Sequence, residues 1–294
     1  MKLQFRLVAC ALAATALLAI ASPEPSATGA ALLASGVVLD RDSMRPLIGA
    51  QVVLGIIPDQ STCAGGAGCG HPAAPRLVGT TDASGRFSLS GNFTPGWYFL
   101  EISDGSGYAQ LHAAVPLYTG GANDLGVRTI VKLLPSEVAW LARLNRDRET
   151  ISFPPSPGNL VIDEYAQVQV RAYAAKVADG MIGYVDPQYE AQPGNILGLY
   201  RSVADLAMSP DEAERNWFFE KANCPHGNWK ICHVRDETVH YVNLSNADNA
   251  WVGLAGSAHP LKKGLRWAGL YAYGGIVLTP RWNAVGSGSE INRI

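Results

Sequence analysis

Three residue types spaced along one stretch could do chemistry: Trp217, Glu220 and His240. A carboxylate that accepts a hydrogen bond from an imidazole N–H orients the ring and raises its basicity. Such a dyad serves general acid–base steps, and hydrolysis is the reaction class it would fit. The same pair could instead be a structural tether, a polar contact that joins a helix to a sheet inside an apolar layer. A hydrogen bond to a charged group, with a net value of about 1–3 kcal/mol, suffices for that role. No serine or cysteine beside the pair is marked as a nucleophile, so the tether is the preferred reading. His226 and His233 recur with His240 every seven residues. That interval aligns nothing along a strand. A zinc site needs three or four protein ligands, so no metal site is assigned.

The elements that must position these residues follow from pattern. "SPDEAERNWFFEK" opens on Ser209 as N-cap, with Pro210 in the first turn and Glu212 closing a capping box. On that helix Ala213, Trp217 and Glu220 share one face. "TVHYVNL" alternates and is expected to be a strand, with Val239 and Tyr241 on one side and His240, Val242 and Leu244 on the other. "AWVGLAG" and "LRWAGLYAYGGIVL" are further strands. Upstream, a helix capped by Ser136 would carry Val138, Leu141 and Leu144 on one face, and Pro154, Pro155 and Pro157 end it. A second helix is expected over 163–179. One of its stripes is Ala166, Val170, Tyr173 and Val177, and another is Tyr165, Val168, Ala172 and Ala175, which implies burial on more than one side. A short third helix is expected over 198–208. Helices followed by an antiparallel sheet indicate an α+β unit.

The first half reads differently. "SGVVLD", "IGAQVVLGI", "RFSLSG", "TPGWYFLEIS" and "GVRTIVKL" are strand signals, separated by turns such as "RDSMRPL" and "TTDASG". Six or seven short strands in about 100 residues indicate a β-sandwich. His71 and His112 stand alone there and are expected in loops or at the surface.

The chain has 294 residues, 48% of them hydrophobic and 16% charged, with a formal charge of −2. That is ordinary for a globular protein of about two domains, and nothing in it calls for a nucleic acid partner. Residues 1–21 read as a signal peptide: Lys2 and Arg6, an apolar run from Leu7 to Ile20, and a small-x-small site ending at Ala21. The protein is therefore expected to be secreted, without a transmembrane anchor. Residues 22–34 read as a linker and 282–294 as a flexible tail. Cys63 with Cys69 and Cys224 with Cys232 form two local pairs, plausible disulfides in an exported chain that would each add roughly 2 kcal/mol by closing a short loop. Sequons begin at Asn92 and Asn243, the second at an expected strand end.

Two resemblances sharpen this outline. Residues 35–134, through "GVVLDRDSMRPLIGAQVVL", "TTDASGRFSL" and "PGWYFLEISDGSGY", resemble the carboxypeptidase regulatory-like family, which implies a transthyretin-like sandwich. Residues 135–281 resemble the CAP superfamily of cysteine-rich secretory and pathogenesis-related proteins. The matching stretches are "LNRDR", "LVIDEYAQVQVRAYAAKVADG", Trp217 to Glu220, "VHYVNL" and "VGLA". This implies a three-layer α-β-α sandwich, and a cleft with Trp217, Glu220, His240, Tyr241 and Asn195 around it. Some members gather two histidines and two glutamates there and bind a divalent metal. Here His240 and Glu220 match, but no histidine follows the second helix, and Gly194 of "PGNIL" stands where a glutamate is expected. The tetrad is half present and no cofactor is expected. The resulting expectation is a secreted, non-enzymatic interaction or ligand-binding protein of bacterial type. Its partner would be a lipid, a cell-wall component or a protein. The alternative is an extracellular, peptidase-like hydrolase using Glu220 and His240.

Overall fold

The computed structural model describes residues 31–56, 73–92, 94–105, 107–118, 121–154, 158–178, 200–207, 210–235, 237–247, 249, 251–258 and 271–278. Asn195, Gly194, Cys63, Cys69, His71, the signal segment and the tail lie outside them.

The first half is a two-sheet β-sandwich. Its strands are β1 (Ala31–Asp40), β2 (Gln51–Ile56), β3 (Ala73–Thr80), β4 (Arg86–Asn92), β5 (Gly96–Ser103), β6 (Leu111–Leu117) and β7 (Ala122–Ile130). One sheet has the order β4-β1-β7 and the other β3-β2-β5-β6. All pairs are antiparallel except β1 with β7. β1 begins inside the segment read as a linker, and its Ala34 is already buried. The turns are built by side chains. Asp40 Oδ1 accepts from the N–H groups of Asp42 and Ser43, and Asp82 Oδ1 accepts from those of Ser84 and Arg86. Gly85 adopts a φ of 74°, and a Cβ there would run into the Val38 carbonyl.

Side-chain alternation sets what each sheet faces. Val52, Leu54, Tyr98, Leu100, Ile102, Leu111, Ala113 and Val115 meet Val38, Phe87, Leu89 and Ile130 in the sandwich core. The intervening residues Val53, Phe99, Glu101, His112 and Ala114 are buried as well. The β2-β5-β6 part of that sheet is thus covered on both faces, while edge strand β3 leaves Val78 exposed, which is why β2 and β5 read as near-continuous apolar runs. His112 corrects the expectation of a loop or surface residue. It sits near the start of β6, 3% exposed.

The second half contains α1 (Pro135–Glu149), β8 (Val161–Ile162), α2 (Glu164–Ala178), β9 (Tyr200–Ala207), α3 (Pro210–Phe219), three short 3-10 turns between Glu220 and Ile231, α4 (Val239–Ser245), β10 (Trp251–Ala258) and β11 (Tyr271–Leu278). Its sheet has the order β8-β10-β11-β9, antiparallel except for β8 with β10. Trp251 and Ala255 cluster with Ala166, Val170 and Ala174 of α2. Val252 and Leu254 cluster with Trp140 and Leu144 of α1, Trp217 of α3 and Leu244 of α4. The two faces of β10 therefore meet different helices.

Phe99 of the sandwich belongs to the α2 cluster. Helix α2 lies between the sandwich and its own sheet through one stripe, Ala166, Val170 and Ala174, whereas Ala175 of the second expected stripe is exposed. Its backbone comes so close to β10 that a Cβ at Gly253 would overlap the main chain at Ala166 and Gln167. Gln167 fills the same contact. Its Nε2 donates to the Leu254 carbonyl at 2.9 Å, and its Oε1 accepts from the Leu254 N–H at 2.9 Å.

Three expectations are corrected. Residues 200–207 form a strand where a helix was expected, and they pair with β11. "TVHYVNL" holds a helix, α4, where a strand was expected. Helix α1 starts at Pro135, one residue before Ser136, with the Leu134 N–H donating to Glu137 Oε2 at 2.8 Å. Its buried face is Glu137, Trp140, Leu144 and Arg148, while Val138 is exposed.

Candidate functional site

Glu220 and His240 meet. Glu220 lies in the first 3-10 turn, directly after α3, and His240 is in the first turn of α4. Oε1 of Glu220 is 2.5 Å from His240 Nδ1. A carboxylate only accepts, so Nδ1 carries the proton and a neutral ring keeps its lone pair on Nε2. Oε2 of Glu220 accepts from the backbone N–H groups of His240 and Tyr241, at 2.9 and 3.0 Å.

Those N–H groups belong to the first turn of α4, where no intrahelical acceptor exists. The N-cap residue, Thr238, supplies no side-chain cap. Glu220 caps the helix from another element, and its negative charge also suits the positive end of the helix. The tether therefore joins the end of α3 to the start of α4, helix to helix, and not helix to sheet.

The His240 ring stacks on Trp217, with centroids 6.0 Å apart, and Trp217 stacks on Trp140 of α1, also at 6.0 Å. Of the expected cleft residues, Trp217 and Tyr241 are buried, at 1% and 0% exposure. Tyr241 Oη donates to the Gly227 carbonyl at 2.8 Å, which fixes α4 to the loop closed by the Cys224–Cys232 disulfide. Only Glu220 and His240 reach solvent, with side chains 14% and 21% exposed. Asn195 is outside the described residues. His226 and His233, in and beside that disulfide loop, are exposed. Among the described residues no three histidine, cysteine or carboxylate side chains gather in a way that could hold a metal. One imidazole beside a carboxylate already engaged in capping does not fit a divalent metal.

Two polar clusters support the dyad's elements, one of them built on Arg148, the last residue of "LNRDR". Arg148 is fully buried. Its Nε and Nη2 donate to the Gly158 carbonyl at 3.0 and 2.8 Å, Nη1 donates to the Leu244 carbonyl, and Nη2 also reaches the Asn249 carbonyl. This holds the end of α4 against α1, and burial lowers the guanidinium to about 9. On the α1–α3 seam Arg143 Nε donates to Glu214 Oε2 at 2.7 Å and Nη1 pairs with Asp211. Burial, with the Asp147 carboxylate adding to it, outweighs the Arg143 contact and raises the Glu214 carboxyl to about 7.

Among the described residues no helix is long and apolar enough to cross a membrane. No family model matches the chain, and no curated protein matches it. Solved structures match over about a third of it. The 3-chlorocatechol 1,2-dioxygenase from Rhodococcus opacus is 16% identical, with a TM-score of 0.24 over 35% of this chain and 60% of that one. The minor pilin GBS52 of Streptococcus agalactiae is 24% identical, with a TM-score of 0.24 over 35% and 44%. The plantain pollen allergen Pla l 1 is 14% identical, with a TM-score of 0.26 over 36% and 98%. At these scores the likenesses carry no argument about what this chain does.

Proposed function

We propose that the chain is a secreted, non-enzymatic interaction protein. A transthyretin-like sandwich would present a CAP-like three-layer α-β-α domain to a lipid, a cell-wall component or a protein. The observation that carries this reading is the engagement of Glu220: its carboxylate accepts from the His240 ring and from two N–H groups of α4, a structural role. The domain assignment is supported by the element order α1-β8-α2-β9-α3-α4-β10-β11 and by helices on both faces of the sheet. The two-sheet sandwich supports the other resemblance.

The alternative, a peptidase-like hydrolase, draws on one feature of the same geometry. The Glu220 contact leaves the basic nitrogen of a neutral His240 at Nε2, the arrangement a general base requires.

One experiment separates the two. The purified protein and His240→Ala are assayed against peptide and ester substrates, and for sedimentation with insoluble wall glycan and with phospholipid vesicles. Binding without turnover is the expected result. Turnover that His240→Ala abolishes would replace this reading with the hydrolase.

A further inference from the structure

Between α3 and α4 the chain makes a loop whose two sides differ in chemistry. Residues 221–235, "KANCPHGNWKICHVR", hold Lys221, Lys230 and Arg235 and no carboxylate, in a chain whose formal charge is −2. Glu220 precedes the loop and is turned onto His240 and the N–H groups of α4. Asp236 and Glu237 come after it, where the chain enters α4, and α4 itself has no carboxylate.

The inner side is a clamp. Cys224 is buried with Ile151, Tyr241 and Val242, and Trp229 and Cys232 pack against them. The Cys224–Cys232 disulfide closes the loop, and Tyr241 Oη donates to the Gly227 carbonyl. At the ends Asn223 Nδ2 donates to the Glu237 carbonyl at 2.9 Å, and Thr238 Oγ1 to the His233 carbonyl at 2.6 Å. The outer side carries what the clamp does not use. Ile231 and Val234, on either side of Cys232 in the chain, are 55% and 58% exposed. Lys221, Lys230 and Arg235 are exposed as well. The Lys221 side chain lies against Gly227, and Lys230 Nζ is 5.9 Å from the centroid of the Trp229 ring. Cations interleaved with exposed aliphatic side chains suit a surface that is anionic outside and apolar just beneath. A soluble polyanion would use the cations and leave Ile231 and Val234 in water. An uncharged apolar groove would strip water from the cations without pairing them.

We propose that the outer side of this loop is a docking surface for an anionic phospholipid bilayer. Lys221, Lys230 and Arg235 meet the headgroup phosphates, and Ile231 and Val234 enter the boundary between headgroups and acyl chains. The disulfide and the anchoring hydrogen bonds set the loop before contact, so docking orders little main chain. Attachment through so few side chains is reversible and weakens with salt. This rests on the interaction reading above and names a lipid surface as the partner.

Sedimentation of the whole protein, disulfide intact, with phospholipid vesicles tests it. Partition into vesicles of equal parts phosphatidylcholine and phosphatidylglycerol is expected to exceed that into phosphatidylcholine alone on the order of a hundredfold, since each cation near such a surface contributes about fivefold. Lys230→Gln with Arg235→Gln should lower the anionic partition about thirtyfold, and Ile231→Ser with Val234→Ser about tenfold. These four side chains are exposed, so both double variants should melt as the wild type does. Equal partition into the two vesicle types by the wild type, or none into either, overturns the proposal, and that comparison decides even if a variant fails to fold. Anionic binding that survives both pairs of substitutions overturns it too, while leaving lipid binding to another surface. Binding that only the Lys230 and Arg235 pair weakens would assign the loop to polyanions and overturn it as well. Failure of the interaction reading itself would show elsewhere, as turnover of peptide or ester that His240→Ala abolishes.

Discussion

Glu220 holds His240 at two points, the ring through one carboxylate oxygen and the backbone N–H through the other. The second oxygen also takes the Tyr241 N–H. A side chain that caps a helix and orients a ring together cannot be removed without affecting both. Glu220→Ala is expected to destabilise the protein by about 2–4 kcal/mol, and Glu220→Gln by about half of that, since an amide oxygen still accepts. Urea denaturation followed by circular dichroism measures this. A loss below about 0.5 kcal/mol for Glu220→Ala would remove the capping role.

Trp251 carries the joint between the halves, stacked on His112 and tilted against Phe99. Trp251→Ala is expected to cost about 3–5 kcal/mol. It should also split thermal unfolding into separate transitions, because the sandwich keeps its own core. Calorimetry on the two proteins reads both effects. One cooperative transition in the variant would show that the joint does not depend on this ring.

Glu164 and Glu214 both have carboxyls raised to about 7 by burial. A folded form that binds protons more tightly than the unfolded chain gains stability from them. That gain is complete below about 4.5 and is lost as pH rises through 7. The urea midpoint is therefore expected to be higher at pH 5.5 than at pH 8. Glu214→Gln should flatten part of the slope. Asp40 acts in the opposite sense at lower pH. Burial pushes its carboxyl up, but donors from Ser43, Tyr108 and Asp42 outweigh this and hold it below the usual range, so its contribution fades in stronger acid. A midpoint that rises steadily towards pH 8 would contradict the assignment.

Gly253 lies where α2 crosses β10, and a methyl group there would meet the backbone of Ala166 and Gln167. Backbone cannot step aside as a side chain can. Gly253→Ala should destabilise by about 1–3 kcal/mol and should disturb the paired bonds between Gln167 and Leu254. Exchange of the Leu254 amide is the sensitive readout, and unchanged protection would mean that α2 shifts without cost.

Much of this molecule was legible from pattern. The sandwich turns at Asp40 and Asp82, the helices at 135 and 164, the onset of α3 and the strand at Trp251 all follow local rules. The dyad was visible as a pair of residue types, though its geometry was not. "VHYVNL" is too short for alternation to separate a strand from two turns of helix. The deciding group is Glu220, a cap supplied from 20 residues upstream, which no local reading contains. Residues 200–207 form a strand because β11 offers an edge, a tertiary reason that overrides their leucine and alanine content. His112 looked isolated because its partner Asp163 lies in the other half. The continuous apolar runs of β2 and β5 were the available sign that something covered that sheet.

The placement of α2 between the sandwich and the second sheet makes the halves poor cassettes. A fragment cut near residue 135 would bare Phe99, Glu101 and His112 to water, and its complement would bare Trp251, Asp163 and Glu164. Each piece would carry a half-apolar, half-charged scar shaped for the other. Transplanting either onto a new neighbour would require rewriting that scar first, so exchange of these units between proteins is constrained by one helix rather than by the length of the segment that joins them.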